Sequence, residues 1–359
     1  MAVSTKAPKA RQLSDLARQE ERTAWWLLFP SLLLLFLIGI YPLAQVFYLS
    51  TTNKRFASSQ PTEFIGFANY RDLLSMTVRE LPVQLDEAGQ PVIEDGKKQY
   101  ESWVRVLPRE PLRYRAAFEF GFFGKRYVIG AVNADFIKSV WDTIVFTVVA
   151  VALETLIGLI IALALSRKFF GRSVMRTAML VPWAIITVVS SLIWEWMFKS
   201  NRSGFFNALF DRLGWGDGNT VFLVNPALQM PSIIAIDVWK TAPFMALLLL
   251  AGLATIPREL YEAAEVDGAN KIRKFFSITL PLLLPTMAVA LVFRTLDSLR
   301  VFDLFQVVFG ERRYSMATFA QFTLVSNKDM GLSAAASVII FIILFIFAII
   351  YMRSLKVDA

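Results

Sequence analysis

Residues 25–48 and 331–352 contain no Asp, Glu, Lys or Arg and few polar side chains of any kind. A hydrocarbon layer about 30 Å thick takes roughly 20 residues of helix at about 1.5 Å each, so either run is long enough to cross one. In lipid every backbone N–H and C=O must be satisfied within the structure, which leaves helices or closed barrels as spanning elements. Four further apolar runs lie between these two: 143–166 with one charge (Glu154), 177–198 with one (Glu195), 231–256 with two (Asp237 and Lys240), and a more polar run, 281–308. Together they predict an all-α polytopic membrane protein with six transmembrane helices. The first run exceeds the 7–15-residue apolar core of a cleaved signal peptide and lacks a small-residue cleavage site at its end, so it is expected to remain as a span.

Composition agrees. Hydrophobic residues make up 56% of the 359 residues and charged ones only 18%, against about 45–50% and 25% in soluble domains. The chain has no Cys and no His, which removes disulfides, Cys/His metal sites, Cys–His or Ser–His nucleophile pairs and imidazole proton relays. No Gly-x-x-x-x-Gly-Lys-Ser/Thr phosphate loop occurs either. A chain that moves or binds small molecules is expected, with no catalytic residue, metal or cofactor of its own.

Lys+Arg 37 against Asp+Glu 29 leaves +8, and its placement reports topology. Segments 1–24, 166–176, 257–280 and the tail carry 5, 4, 4 and 2 basic residues, whereas 199–230 and 309–330 carry 3 each. The richer side is cytoplasmic by the positive-inside rule, which puts both termini there. A nucleic-acid partner is not expected, because the basic residues do not gather on one soluble face.

The predicted organisation is a cytoplasmic segment 1–24, a first transmembrane helix 25–49, an extracytoplasmic insertion 50–138, a five-helix core 139–352 and a tail 353–359. Segment 1–24 is charged and suits the lipid interface. The insertion alternates β-like runs (Pro91-Val92-Ile93, Trp103-Val104-Arg105-Val106, Arg126-Tyr127-Val128-Ile129) with turn clusters such as Asp86-Glu87-Ala88-Gly89 and Glu94-Asp95-Gly96, so a small β-rich module is expected. It either docks a partner or is a structural elaboration.

After residue 256 comes Pro257-Arg258-Glu259-Leu260-Tyr261-Glu262-Ala263-Ala264-Glu265-Val266-Asp267-Gly268. Pro at the start, acids in the first turn and Gly268 as stop describe a short cytoplasmic helix. A second short helix, 271–278, is expected to lead into the fifth span. Small Ala263 and Ala264 beside Glu262 permit close approach to another protein's backbone and offer one charge; a docking element and an ordinary surface turn both fit.

Glu262-Ala263-Ala264, three residues, Gly268, nine residues, Ile278, one residue, Leu280-Pro281 reproduces every fixed position of the EAA motif. The chain thus resembles the membrane subunits of binding-protein-dependent ATP-binding-cassette (ABC) importers over about 25–50 and 135–355. Trp194-Glu195-Trp196-Met197-Phe198 followed by Gly204 and Asn207, and Asp237-Val238-Trp239-Lys240-Thr241-Ala242-Pro243-Phe244, look like the carbohydrate-uptake branch with its maltose-type subunit. The resemblance implies the type I importer fold in the inner membrane and a second permease subunit. It also implies an ATPase dimer that carries ATP and Mg, and an extracytoplasmic sugar-binding protein that the 50–138 insertion would contact. It implies that Glu262, Ala263, Ala264, Asp267 and Gly268 couple to the ATPase, whose closure on ATP would open the site outward.

Ionisable groups at membrane depth are functional candidates by default. Arg294, Asp297, Arg300 and Asp303 recur every third residue along one helical face, where each Arg reaches an Asp at i+3. They either pair internally or form a polar strip in the translocation path. Asp237, Trp239, Lys240, Asp297 and Arg300 are candidate substrate residues, since a sugar needs bidentate polar groups and an aromatic face, and the resemblance adds Phe244 and Asp303. The family implies sugar contacts at these stretches, although the maltose-type subunit has amides where Asp237 and Asp297 stand. Glu154 and Glu195 lie near span ends or pair across helices, and Trp194 and Trp196 suit an aromatic belt.

The leading expectation is a permease subunit, not an enzyme, that imports a disaccharide or oligosaccharide of the maltose or trehalose kind. Arg294 and Arg300 also suit a glycerol-phosphate-like polyol, and an ion-coupled carrier acting alone is a third reading.

Overall fold

The computed structural model describes residues 15–354 apart from 88 and 95. The basic residues Lys6, Lys9, Arg11 and Lys356 of the charge argument lie outside the described residues, as do Ala88 and Asp95 of the two turn clusters.

The first span, Gln19–Leu49, lies within the continuous run of α1 (Asp15–Leu35), a π-turn Phe36–Ile40 and α2 (Tyr41–Leu49). It is exposed almost throughout, touching the bundle where Phe47 meets Phe341 edge-on at 5.9 Å. The insertion follows with α3 (Ala68–Leu74), β1 (Met76–Leu81), β2 (Ile93–Glu94), β3 (Lys97–Lys98), α4 (Trp103–Val106), β4 (Arg115–Phe122) and β5 (Lys125–Ala131). An antiparallel sheet of order β1-β5-β4 pairs Val78 with Ile129 and Phe118 with Ile129, with a bulge between Ala116 and Phe118. Leu81, Leu107 and Val128 form its small core. The β-like reading of 103–106 is corrected: this is one helical turn, because the Ser102 side chain caps the N–H of Val104 and a local cap overrides the β-branched pattern.

The membrane bundle begins with α5 (Ala134–Ser166), whose N-terminus is capped by the Asn133 side chain at 3.0 Å from the N–H of Phe136. Next come α6 (Arg172–Ala178), α7 (Leu180–Ala184), α8 (Thr187–Met197), α9 (Phe205–Leu213), α10 (Pro226–Ala254), α11 (Arg258–Val266) and α12 (Lys271–Lys274). They are followed by α13 (Leu280–Leu299), α14 (Asp303–Phe309), α15 (Met316–Val325) and α16 (Met330–Ser354). Among the described residues, five helices are long and apolar enough to cross a membrane, six if the bent α6–α8 stretch is one span.

Helix α5 packs along α10, and Gly158 allows it: a Cβ there would lie 2.8 Å from Met245 and 3.0 Å from the backbone of Ala246. Ala162, Leu165, Met245, Leu249, Leu283 and Ala290 bury the seam among α5, α10 and α13. At the insertion end, Asp142 and Arg313 form two hydrogen bonds of 2.6 Å and Arg313 also donates to Gln229 at 3.1 Å, tying α5, α10 and the loop before α15 together.

Three span boundaries differ from the sequence reading. The 177–198 run bends by 91° between α7 and α8, where β-branched Ile185 and Ile186 adopt extended backbone. The 281–308 run ends as helix at Arg300, and the carbonyl of Val301 just beyond accepts from Ser315 Oγ at 2.7 Å. Residues 271–278 are no separate helix; they continue through a π-turn, Phe275–Thr279, into one helix spanning Lys271–Leu299.

Candidate functional site

Within the bundle, one guanidinium organises three carboxylates. Arg294 on α13 donates from Nε to Glu154 Oε2 at 2.5 Å and from Nη2 to Glu154 Oε1 at 2.9 Å; Nη1 donates to Asp297 Oδ2 at 2.8 Å, and Nη2 also meets Asp237. The Thr241 hydroxyl sits 2.6 Å from Glu154 Oε1 and 2.5 Å from the carbonyl of Asp237. Glu154 lies twelve residues before the end of α5 at Ser166, about 18 Å along the axis, which is bilayer-core depth. Isolated charges at that depth cost several kcal/mol, so their mutual pairing is what makes them tolerable. Glu154 thus pairs across helices, one of its two sequence readings. The i+3 pairing expected along α13 holds for Arg294 and Asp297 only; Arg300 and Asp303 form no ion pair among the described residues, because the helix ends between them.

Beside this network opens a cavity of about 660 Å³ lined by Trp183, Thr241, Phe244, Arg294, Asp297 and Arg300, with Phe293, Phe341, Phe345 and aliphatic side chains completing the wall. Trp183 and Phe244 stack with ring centroids 5.2 Å apart and planes 7° off parallel. The Asp297 side chain is 68% exposed although Arg294 holds one of its oxygens, so its remaining acceptor capacity is accessible.

Of the seven candidate substrate residues, Phe244, Asp297 and Arg300 line the cavity and Asp237 stands behind it on Arg294. Trp239, Lys240 and Asp303 do not line it. Trp239 turns instead to Trp194, 5.6 Å away edge-on, within an aromatic group that includes Phe198 and Phe206. Trp194 is accordingly buried and is no belt residue, whereas Trp196 remains exposed. Buried Asn207 staples the loops around α9, donating to the carbonyls of Lys199 at 2.7 Å and Thr220 at 2.9 Å. Sequence reasoning left Trp183, Thr241 and Glu154 off the site; the single charge of Glu154 in an apolar run was the available signal.

At the opposite end of the spans from the insertion, α11 buries no residue: Glu262 and Ala263 are exposed, and Tyr261 and Ala264 are half-buried. It stops in a Schellman turn: Gly268, at φ +77°, donates to Glu265 O at 3.0 Å and Ala269 donates to Ala264 O at 2.8 Å. Asn270 then caps the following helix through the N–H of Arg273 at 2.8 Å. The Tyr261 hydroxyl meets Thr279 Oγ1 at 3.0 Å and Glu265 pairs with Lys274, which fixes α11 to the base of the α13 span. That ammonium holds the Glu265 carboxyl below the ordinary carboxylate range.

Relatives of known role match most of the chain. The chain is 41% identical to the trehalose/maltose transport system permease protein of Thermococcus litoralis over 70% of its own length and 82% of that protein's. It is 32% identical to the sulfoquinovosyl glycerol transport system permease protein of Agrobacterium fabrum over 92% and 89%. A solved bacterial ABC transporter that imports the acidic polysaccharide alginate shares the fold, with TM-score 0.69, 18% identity and coverage of 95% of this chain and 99% of that one. Residues 154–356 match the family of binding-protein-dependent transport system inner membrane components, and the chain belongs to that family: it is an inner-membrane permease subunit of an ABC transporter, not an enzyme.

Proposed function

We propose that the chain imports a disaccharide or short oligosaccharide of the trehalose and maltose kind, delivered by an extracytoplasmic binding protein. The observation that carries this reading is the cavity that sets an accessible carboxylate, Asp297, and the cation Arg300 among aromatic walls. Hydroxyl groups suit the carboxylate, and the C–H faces of a sugar suit the aromatic walls. The names of both curated relatives support a glycoside cargo. Asp237 and Glu154 act as positioning residues that hold Arg294.

The machine we infer contains a second permease subunit and an ABC ATPase dimer that binds ATP and Mg; this chain needs no cofactor of its own. Glu262, Ala263, Ala264, Asp267 and Gly268 form the coupling element, which α11 presents unburied and ready for an ATPase cleft. Both termini and α11 then face the cytoplasm, with the 50–138 insertion outside to receive the binding protein. An importer that depends on a binding protein is not a carrier working alone.

A second reading, an anionic glycoside, rests on Arg300, which lines the cavity with no ion pair among the described residues. Arg294 is occupied by three carboxylates, which weakens the case for a phosphorylated polyol held by both arginines. Competition settles the class: in proteoliposomes holding the complete transporter, labelled trehalose uptake should fall with excess maltose and persist with excess glycerol phosphate. The reverse pattern contradicts the proposal.

A further inference from the structure

The end of the bundle that carries α11 also holds a bowl of about 780 Å³ that the transport reading does not use. Six basic residues line it, Arg167, Arg172, Arg176, Arg258, Lys271 and Lys274, and no Asp or Glu does. Like charges gathered this closely repel one another, and an anion is the simplest compensation. The Nε atoms of Arg172 and Arg176 are buried without a hydrogen-bond partner among the described residues, a cost that a bound acceptor would remove. Two guanidiniums one helical turn apart on α6 offer planar forks suited to phosphate oxygens.

A second observation identifies the direction of entry. Phe170, Val174 and Met175, on and just before α6, are large apolar side chains turned outward and exposed. A segment with cations facing inward and such residues facing outward belongs at the boundary between acyl chains and headgroups. Basic pockets between membrane helices at that level take phospholipid heads.

We propose that this bowl binds the phosphate headgroup of an anionic phospholipid that enters from the bilayer past α6. Its position gives the lipid a mechanical role. Arg258 begins the coupling helix, while Lys274 pairs with Glu265 of that helix and Tyr261 joins it to Thr279 at 3.0 Å. A phosphate held by Arg172, Arg176, Arg258 and Lys274 ties α6, α11 and the base of α13 into one unit.

Native mass spectrometry tests this on the full chain, kept in mild detergent with whatever subunits it retains and titrated with phosphatidylglycerol, phosphatidylcholine or inorganic phosphate. Each cation at an anionic lipid surface is worth about fivefold in affinity, so Arg172→Gln with Arg176→Gln should weaken phosphatidylglycerol binding about 25-fold. Phosphatidylcholine binding should not change, and Arg105→Gln with Arg109→Gln, the same charge loss in the insertion, should have no effect. Should the α6 pair fail to fold, Arg167→Gln with Lys271→Gln removes two cations from other elements and carries the same expectation. Undiminished phosphatidylglycerol binding in the folded variant overturns the proposal. So does displacement of the lipid by millimolar inorganic phosphate, which would mark a soluble-phosphate site, or loss of lipid whenever the ATPase is bound, which would mark a subunit contact.

Discussion

The guanidinium of Arg294 grips the carboxylate of Glu154, 140 residues earlier in the chain, through two hydrogen bonds of 2.5 and 2.9 Å. A fork of this kind fixes both the distance and the rotation of α13 against α5. Removing one member leaves buried charge without a partner, at about 3–5 kcal/mol. Arg294→Met is therefore expected to lower the unfolding stability of the purified permease by that amount. Arg294→Gln combined with Glu154→Gln should cost less than the sum of the two single changes, by about 0.5–3 kcal/mol. Strictly additive effects in a double-mutant cycle would show that the pair does not act as a unit.

Gly268 follows α11 at φ +77°, with nothing within 4 Å of where a Cβ would stand, so the constraint there is conformational. Gly268→Ala should cost about 1–2 kcal/mol locally. Gly268→Pro removes the N–H that bonds Glu265 O and forces φ to about −65°; it should abolish ATP-dependent uptake. Glu262→Ala changes an exposed side chain and should likewise stop uptake while the amount of chain in the membrane is unchanged. Immunoblots of membranes alongside uptake assays separate the two quantities.

The cavity residues should divide by substrate charge. Asp297→Asn is expected to raise the apparent KM for a neutral disaccharide about 10–100-fold, the equivalent of a charged hydrogen bond. Arg300→Gln should leave that KM within about twofold and act on anionic glycosides instead. Uptake titrations with both cargo classes check the division, and equal effects on both would remove Arg300 from specificity.

Much of this arrangement was legible in the sequence because lipid imposes length and apolarity, which are local properties. The charge-free runs marked two spans outright, and the gapped motif ending in Leu280-Pro281 marked the loop that holds α11. Breaks inside spans were less visible, since the bend at Ile185-Ile186 and the end of α13 at Arg300 depend on packing and on Ser315. The site was half legible. Asp297 and Arg300 lie on a stretch that charge spacing singles out and Phe244 on one that the family resemblance marks, but Trp183 joins Phe244 only because α7 folds back beside α10. Trp239 shows the converse: its pattern suggested a sugar contact, and the aromatic group around Trp194 claims it.

Tyr314 supplies a pH test outside the membrane spans. Burial, then the charges of Glu311 and Asp135, push its phenol up to about 12 from an ordinary value of 10. A raised folded value means that stability is fully present below pH 10 and is lost as pH rises from there toward 12. The absorbance at 295 nm of the wild type minus that of Tyr314→Phe should titrate with a midpoint near 12; a midpoint near 10 would place this ring in water.

Uptake by the reconstituted transporter bears most directly on what the chain does. Proteoliposomes made with this chain and the proposed second permease, ATPase and binding protein should accumulate labelled trehalose or maltose only with ATP supplied to the ATPase face, and Glu262→Ala should abolish accumulation. Uptake without ATP, or full uptake in the Glu262→Ala variant, would contradict the assignment of α11 as the element that turns ATP binding into transport.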